Sequence, residues 1–112
     1  MGKKLVILKQ ENDFKQFRSS KSFSDSNLRI RIRSANQNTP RFGFIVPKKT
    51  VPKAADRNKI KRRIKNILQK NLQSMKSADV LIFPNATTGR KKFIELESQI
   101  INLLKKARIW IS

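Results

Sequence analysis

The stretch RFGFIVPKKTVPKAADRNKIKRRIKN, residues 41–66, contains the features that decide the fold. It opens with Arg41 to Val46, where bulky apolar residues alternate with their neighbours as they do in a strand with one buried face. Pro47 and Pro52 then bracket a loop, because proline is unsuited to the interior of a helix. After Pro52 the apolar residues recur every three or four positions, which is typical of a helix. The stretch therefore predicts a strand, a loop and a helix in succession.

The predicted helix is long and amphipathic. Asp56 is the expected N-cap, because its carboxylate can accept a hydrogen bond from the first turn. The apolar stripe that would face the core extends over about five turns. It consists of Ile60, Ile64, Ile67, Leu68 and Met75. The remaining positions are almost all polar or basic, so the other side of the helix should face solvent.

Upstream of this stretch, the chain predicts one strand and one short helix. Leu28 to Arg33 alternates strictly between aliphatic residues on one face and arginines on the other, which is typical of a half-buried strand. We expect it to form an antiparallel hairpin with Arg41 to Val46, since consecutive strands are usually neighbours. Ser19 to Ser26 is interpreted as a loop, and Glu11 to Arg18 as a helix of about two turns.

Downstream of the predicted long helix, the pattern predicts one more strand and a last helix. Asp79 to Phe83 is a short apolar run of the kind found in buried strands. Thr87 to Gly89 predicts a loop, and apolar residues recur at helical spacing from Phe93 to Ala107. Because a strand, a long helix and another strand form a crossover unit, the last strand should lie parallel to one of the earlier two. Residues 1–112 are thus expected to form one α+β domain, an α/β sandwich with a mixed sheet of about four strands.

The net charge is the strongest indication of function. The chain carries 27 Lys and Arg against 7 Asp and Glu, which gives a formal net charge of +20. Such self-repulsion opposes compaction, and proteins that tolerate it usually have a polyanionic partner. That partner is most often nucleic acid and less often an anionic membrane. The composition therefore predicts binding to nucleic acid.

Several other classes of function are disfavoured. The chain has no Cys and no His, which removes disulfides, zinc-finger ligands and imidazole catalysis. Its acids form no motif with the spacing of a two-metal nuclease, so no catalytic and no metal-binding residue is predicted. No apolar stretch approaches the roughly 20 residues that span a bilayer. We expect a cytoplasmic protein that does not associate with membrane.

The densest positive charge lies between Lys48 and Lys70, where ten basic residues accompany one acid, Asp56. Cations at the start of a helix, next to its unpaired N–H groups, favour phosphate binding. The residues predicted to bind RNA are Lys48, Lys49, Lys53, Arg57, Asn58, Lys59, Lys61, Arg62 and Lys65. A solvated amphipathic helix or a membrane-surface helix would carry similar charge. Against both, few acids accompany these cations and the apolar stripe has no aromatic residue.

A second candidate surface combines the first helix with the arginine face of the first strand. Flat apolar groups and cations together suit a single strand of nucleic acid, because bases stack while phosphates pair with the cations. The residues assigned to this surface are Phe14, Phe17, Arg18, Arg29 and Arg31. The two phenylalanines also fit a simple core role between helix and sheet, and the pattern leaves both interpretations open.

Residues 41–66 resemble the signature of the bacterial ribonuclease P protein family. That signature has a strand of Gly and apolar residues, a basic step, a short loop, and Arg-Asn-Arg opening a helix that continues Ile-Lys-Arg-Arg. The matching residues here are Gly43, Lys48, Lys49, Arg57, Asn58, Ile60, Lys61, Arg62 and Arg63. The order of the flanking elements agrees with the family over nearly the full length of the chain.

The resemblance implies a β-α-β crossover that is left-handed, against the general rule. The residues implied to contact the catalytic ribonuclease P RNA are Arg57, Asn58, Lys61 and Arg62. Those implied to line a cleft for the 5′ leader of precursor tRNA are Phe14, Phe17 and Arg31. Cleavage would belong to the RNA and its magnesium ions. The protein is then expected to hold no cofactor of its own and to be a monomer when isolated.

The sequence departs from the family pattern in several places. The loop from Thr50 to Asp56 is one residue longer and lacks its Gly, and Phe14 and Phe17 have a spacing of three where four is common. Lys59 replaces the second Arg of the motif, which keeps the charge but loses a bidentate fork. Asp56 places a negative charge beside the expected phosphate site, and Arg31 stands where an aromatic residue is common. A ribosomal or ribosome-assembly protein of similar fold is the main alternative, since it would use the same basic helix without a leader cleft. A DNA-binding protein is disfavoured, because no helix-turn-helix spacing is evident.

Overall fold

The structure is a computed structural model and describes residues 5–8, 21–25, 28–33 and 40–111. The described strands are β1 (Val6–Ile7), β2 (Lys21–Asp25), β3 (Leu28–Arg33), β4 (Arg41–Phe44) and β5 (Asp79–Pro84). The described α-helices are α1 (Ala54–Lys70) and α2 (Phe93–Lys106), and 3-10 turns occur at Leu72–Ser74 and Ala86–Arg90. The predicted helix from Glu11 to Arg18, and with it Phe14, Phe17 and Arg18, lies outside the described residues.

The strands form one mixed sheet in the order β1-β4-β5-β3-β2. β5 lies parallel to β4, as predicted, and antiparallel to β3. The predicted hairpin between β3 and β4 is therefore wrong, because β5 separates them. The physical reason is burial: β5 is buried at every position except the half-buried Phe83, and so apolar a strand is most stable in the middle of a sheet. β3, with arginines on one face, takes a less central position.

The sheet has five described strands where about four were expected. Lys21 to Asp25, predicted to be part of a loop, forms β2 and pairs antiparallel with β3. Only Phe23 of this strand is half-buried, and the other four residues are exposed. An edge strand of this kind is stabilised by its backbone ladder rather than by burial, so its sequence shows no apolar alternation. β1 is only two residues long and pairs parallel with β4.

Both described α-helices pack on one face of the sheet. The core joins the aliphatic face of β3 to the apolar stripe of α1 and to α2. The buried residues of α1 are Ile60, Ile64, Ile67 and Leu68, which confirms the predicted stripe. Met75 is also buried but lies beyond the end of α1, next to Trp110 in an isolated β-bridge. Each buried aliphatic side chain contributes roughly 1.5–3 kcal/mol to the stability of the fold. Together these contributions offset the repulsion among the cations.

The start of α1 differs from the prediction. The helix begins at Ala54 with Lys53 as N-cap, and no side chain caps it. Asp56 lies inside the first turn instead, where its charge still interacts favourably with the helix dipole. The handedness of the β4-α1-β5 crossover stays a prediction from the family resemblance. No helix in the described part of the chain is long and apolar enough to cross a membrane.

The opposite face of the sheet carries a smaller apolar cluster. Leu8 and Leu81 are buried there, and Ile45 and Phe83 pack against them. Leu81 and Phe83 alternate with the residues of β5 that face α1, because neighbouring side chains of a strand point to opposite faces. Both faces of the central strand are thus apolar.

Candidate nucleic-acid interface

The solvent side of α1 presents a ridge and a flank of polar and basic side chains. Asn58 and Arg62, four positions apart, are exposed on the ridge. Arg57, Lys61 and Lys65 follow the same spacing and are half-buried, which places them on a flank beside the core stripe. Residues four apart lie on one face of a helix. The structure therefore brings these five predicted residues together.

The loop before α1 adds three exposed lysines at the same end of the helix. Lys48 and Lys49 lie in a compact turn, which the backbone N–H groups of Thr50 and Val51 close by donating to the carbonyl of Pro47 at 3.0 Å. Lys53 follows as the N-cap residue. The turn therefore places the lysines next to the positive end of the helix dipole, where anions are favoured.

Arg57 is held in place by the protein itself. Its Nη1 donates to the backbone carbonyls of Val51 at 2.9 Å and Pro52 at 2.8 Å. A guanidinium has five N–H donors, so the edge formed by Nε and Nη2 is still available for a second acceptor. Anchoring Nη1 reduces the rotamer entropy that phosphate binding would otherwise cost.

No carboxylate within the described ranges lies within salt-bridge distance of any of the nine residues predicted to bind RNA. The ion pairs there are Arg33–Asp79, Arg41–Asp79 and Lys70–Glu97. Asp56 is exposed in the first turn of α1 and contributes one negative charge there. The basic surface, defined as these residues without Lys59, is therefore not neutralised by the described part of the chain.

Lys59 and Arg63 lie on the other flank of α1 and do not join the remaining cations. Arg63 Nη1 donates to the carbonyls of Thr88 at 3.2 Å and Gly89 at 2.9 Å, and Nη2 donates to the carbonyl of Lys91. Lys59 borders a depression of about 240 Å³ that Arg90 also lines. Arg63, which the helical spacing placed on the polar surface, is thus a structural residue that ties α1 to the segment after β5.

The arginine face of β3 lies on the side of the sheet away from α1 and α2. Arg29 is exposed, and its guanidinium carbon lies 4.4 Å from the centre of the Phe83 ring, a cation–π contact. Arg31 is half-buried, and its paired residues in the neighbouring strands are Leu81 of β5 and Ser22 of β2. The structure thus places both predicted arginines beside the smaller apolar cluster. The contribution of Phe83 was missed, although the alternation within DVLIFP could have revealed it.

The third arginine of β3 has a different role. Asp79, with no exposed surface, accepts hydrogen bonds from Arg33 at 2.7 and 3.0 Å and from Arg41 at 2.7 Å to each oxygen. These three residues begin or end β3, β4 and β5, so the cluster fastens one end of the sheet. Sequence reasoning assigned Asp79 no role, because its partners are distant along the chain.

The described residues form a mixed sheet with two α-helices on one face and a basic surface around the start of the crossover helix. These features define a class of small cationic α+β proteins suited to contact a polyanion. Within that class, the sequence model of the family described as Ribonuclease P matches residues 2–108. The ribonuclease P protein component of Clostridium botulinum (strain 657 / Type Ba4) is 35% identical over 92% of this chain and 95% of the relative. That of Streptococcus pneumoniae serotype 4 is 30% identical over 96% of this chain and 89% of the relative.

Solved structures show the same fold. The RNase P protein of Staphylococcus aureus has a TM-score of 0.83 at 20% identity, covering 96% of this chain and 99% of its own. The RNase P protein of Thermotoga maritima has a TM-score of 0.80 at 27% identity, covering 88% and 94%. The chain therefore belongs to the ribonuclease P protein family. It is a component of a tRNA-processing ribonucleoprotein whose other subunit is the ribonuclease P RNA, and the comparisons do not support the ribosomal alternative.

Proposed function

We propose that this protein binds the catalytic ribonuclease P RNA through the basic surface and assists it in removing the 5′ leader of precursor tRNA. The observation that carries the proposal is the absence, in the described residues, of any carboxylate paired with that surface. Unpaired cations attract the phosphate backbone and release its counterions on contact, which is the main sequence-independent source of RNA affinity.

Catalysis belongs to the RNA in this proposal. The chain has no His and no Cys, so it lacks the usual general base near neutral pH. Its described residues include no group of three acids that could hold a metal ion. Magnesium would be held mainly by the RNA, and the protein would lower the magnesium requirement by neutralising phosphate charge. The proposal also includes a monomeric free protein and a cytoplasmic location.

The leader of precursor tRNA would lie on the sheet face that carries Arg29 and Arg31. Arg29 stacked on Phe83 offers a cation beside a flat apolar surface, and a single RNA strand uses both. The predicted roles of Phe14, Phe17 and Arg18 in this cleft remain part of the proposal.

Cleavage of precursor tRNA at limiting magnesium tests the function. Ribonuclease P RNA with this protein should cleave the precursor at a magnesium concentration where the RNA alone is slow. The variant Arg29→Ala/Arg31→Ala should weaken binding of precursor tRNA more than binding of mature tRNA, because only the precursor has a leader. Absence of any gain over the RNA alone would refute the proposal. Equal losses for the two tRNAs would refute the leader site alone.

A further inference from the structure

A second group of cations lies around a groove at the opposite end of α1 from Arg57. The groove has a volume of about 390 Å³, and its lining includes four cations over an apolar floor. Lys21 comes from the start of β2, Arg33 from the end of β3, Lys76 from the link before β5, and Arg108 from the residues after α2. We name these four residues and their apolar floor the far groove.

Within the part of the chain that the structure describes, the cations of the far groove are mostly without counter-charge. Lys21, Lys76 and Arg108 are exposed, and no carboxylate of the described residues lies within 4 Å of any of them. Arg33 is held against the buried carboxylate of Asp79. Cations that converge from separate parts of the chain repel each other, in a protein that already carries a net charge of +20. An anion in the groove would relieve that repulsion.

The backbone at Arg108 provides an independent observation. Arg108 has a φ of 62°, the only positive φ of a non-glycine residue in the described ranges. It ends α2 in the left-handed conformation, with its N–H donating to the carbonyl of Lys105 at 3.0 Å, and glycine is the usual residue there. An arginine at this position costs backbone free energy that glycine would avoid. The fold alone therefore does not explain why arginine rather than glycine stands at position 108.

Stabilisation of the helix dipole does not supply that reason. Lys105 and Lys106 already provide positive charge in the last turn of α2, where cations are favoured. The last carbonyls of α2 also accept bonds from the residues that follow, from Ala107 to Ile109. Because the carbonyls of Leu103, Leu104 and Lys105 are paired in this way, an anion in the groove would meet mainly side-chain cations at this end of α2.

We infer that the far groove binds a backbone phosphate of the ribonuclease P RNA. The inference rests on the proposed function, and it adds a second contact with the same partner. The 17 residues of α1 span roughly 25 Å, so the far groove lies far along the helix from Arg57 and the preceding lysines of the basic surface. Phosphate contacts at two separated places on the protein fix its orientation on the RNA. Contacts at one place alone would restrict that orientation less.

Two matched double variants test the inference. Lys76→Gln/Arg108→Gly removes two charges from the groove, and Lys105→Gln/Lys106→Gln removes two exposed charges from the same end of α2. The groove variant should bind ribonuclease P RNA about tenfold more weakly than the control variant. It should also reduce the slope of log K against log salt by about 0.7–0.9, the value for one lost phosphate contact. Equal affinities of the two variants would overturn the inference.

The single variant Arg108→Gly separates RNA binding from stability. Glycine relieves the positive φ, so the melting temperature should rise while RNA affinity falls. A lower melting temperature with unchanged affinity would show a purely structural role and overturn the inference. Binding to precursor tRNA alone is measured in parallel, and a loss confined to precursor tRNA would refute ribonuclease P RNA as the source of the phosphate. If the wild-type protein did not bind ribonuclease P RNA, the proposed function would fail as well.

Discussion

The described arginines differ in what their donors bind, and Arg57, which donates within the fold through Nη1 alone, is intermediate between two groups. The internal arginines, Arg33, Arg41 and Arg63, donate to a carboxylate or to backbone carbonyls of the protein. Arg62, next in sequence to Arg63, is exposed and has no acceptor in the described part of the chain. Net charge therefore measures the total attraction for a polyanion, whereas the hydrogen-bond acceptors near each arginine decide which of them are available to bind it.

The internal arginines also show why one acid is buried in so basic a chain. The side chains of Arg33 and Arg41 are 26% and 32% exposed, while that of Asp79 is not exposed at all. A buried carboxylate is tolerated only when it is paired and hydrogen-bonded. Asp79 satisfies this condition with both arginines, and the cluster keeps a net positive charge at the end of the sheet.

The largest expected effect comes from removing that carboxylate. Asp79→Asn should lower the free energy of unfolding by about 2–4 kcal/mol, because two guanidinium groups lose their anionic partner in a partly buried site. Denaturant unfolding followed by circular dichroism measures the change. Asp56→Asn, at an exposed acid, is the matched control and should change stability by less than about 0.5 kcal/mol. Equal stability of the two variants would show that the cluster does not hold the sheet.

Substitutions of the adjacent residues Arg62 and Arg63 test most directly whether arginines bonded within the fold differ in function from exposed ones. Arg63→Ala should cost about 1.5–3 kcal/mol of stability, since three backbone carbonyls lose a charged donor, and should leave RNA affinity nearly unchanged. Arg62→Ala should leave stability within about 0.5 kcal/mol of wild type and weaken binding to ribonuclease P RNA roughly tenfold. Unfolding and RNA-binding titrations on both variants measure the two effects.

The opposite pattern would invert the assignment of these two residues. If Arg63→Ala weakened RNA binding at full stability, its contacts with the 88–91 carbonyls would have to open in the complex. If the two variants lost stability and RNA affinity to the same extent, the hydrogen-bond acceptors in the free protein would not explain which arginines bind RNA.

The smallest effect concerns Glu97 on α2. A hydrogen bond from the Asn71 side chain at 3.0 Å, and then the neighbouring Lys70 ammonium, lower the pKa of the Glu97 carboxyl. A lowered pKa in the folded state adds stability above the pKa of the unfolded state, about 4.3, and that stability is lost as the pH falls through the folded value. Glu97→Gln should therefore be less stable than wild type at pH 7, with the difference shrinking towards pH 3. Melting temperatures at both pH values check this, and a constant difference would contradict it.

Much of the local structure followed from residue spacing. The alternation of β3 and the stripe of α1 predicted the correct element and the correct buried face, and the apolar run of β5 predicted a buried strand. Pairing was harder to predict, because β5 lies between strands that are neighbours in sequence. β2 was missed because a backbone ladder at the sheet edge needs no apolar pattern.

The candidate nucleic-acid interface was also predicted only in part. The density of cations between Lys48 and Lys65, together with the family signature, predicted the basic surface from residue order alone, but it also included Lys59, which lies on the other flank of α1. The spacing could not show that Arg63 turns inward while Arg62 stays exposed, since the carbonyls that bind Arg63 belong to residues 25 to 28 positions away. Nor could it show the far groove, whose cations come from four separate parts of the chain.

The net charge, the periodicity of β3 and α1 and the motif that identifies the family could be read from the residue order, because each depends only on composition or on residues close along the chain. The tertiary structure alone decided the strand order, the pairing of Asp79 with arginines 46 and 38 positions away, and which cations face solvent. The physical reason is that strand pairing and ion pairing depend on distances in space. Those distances are set only when the whole sheet has assembled.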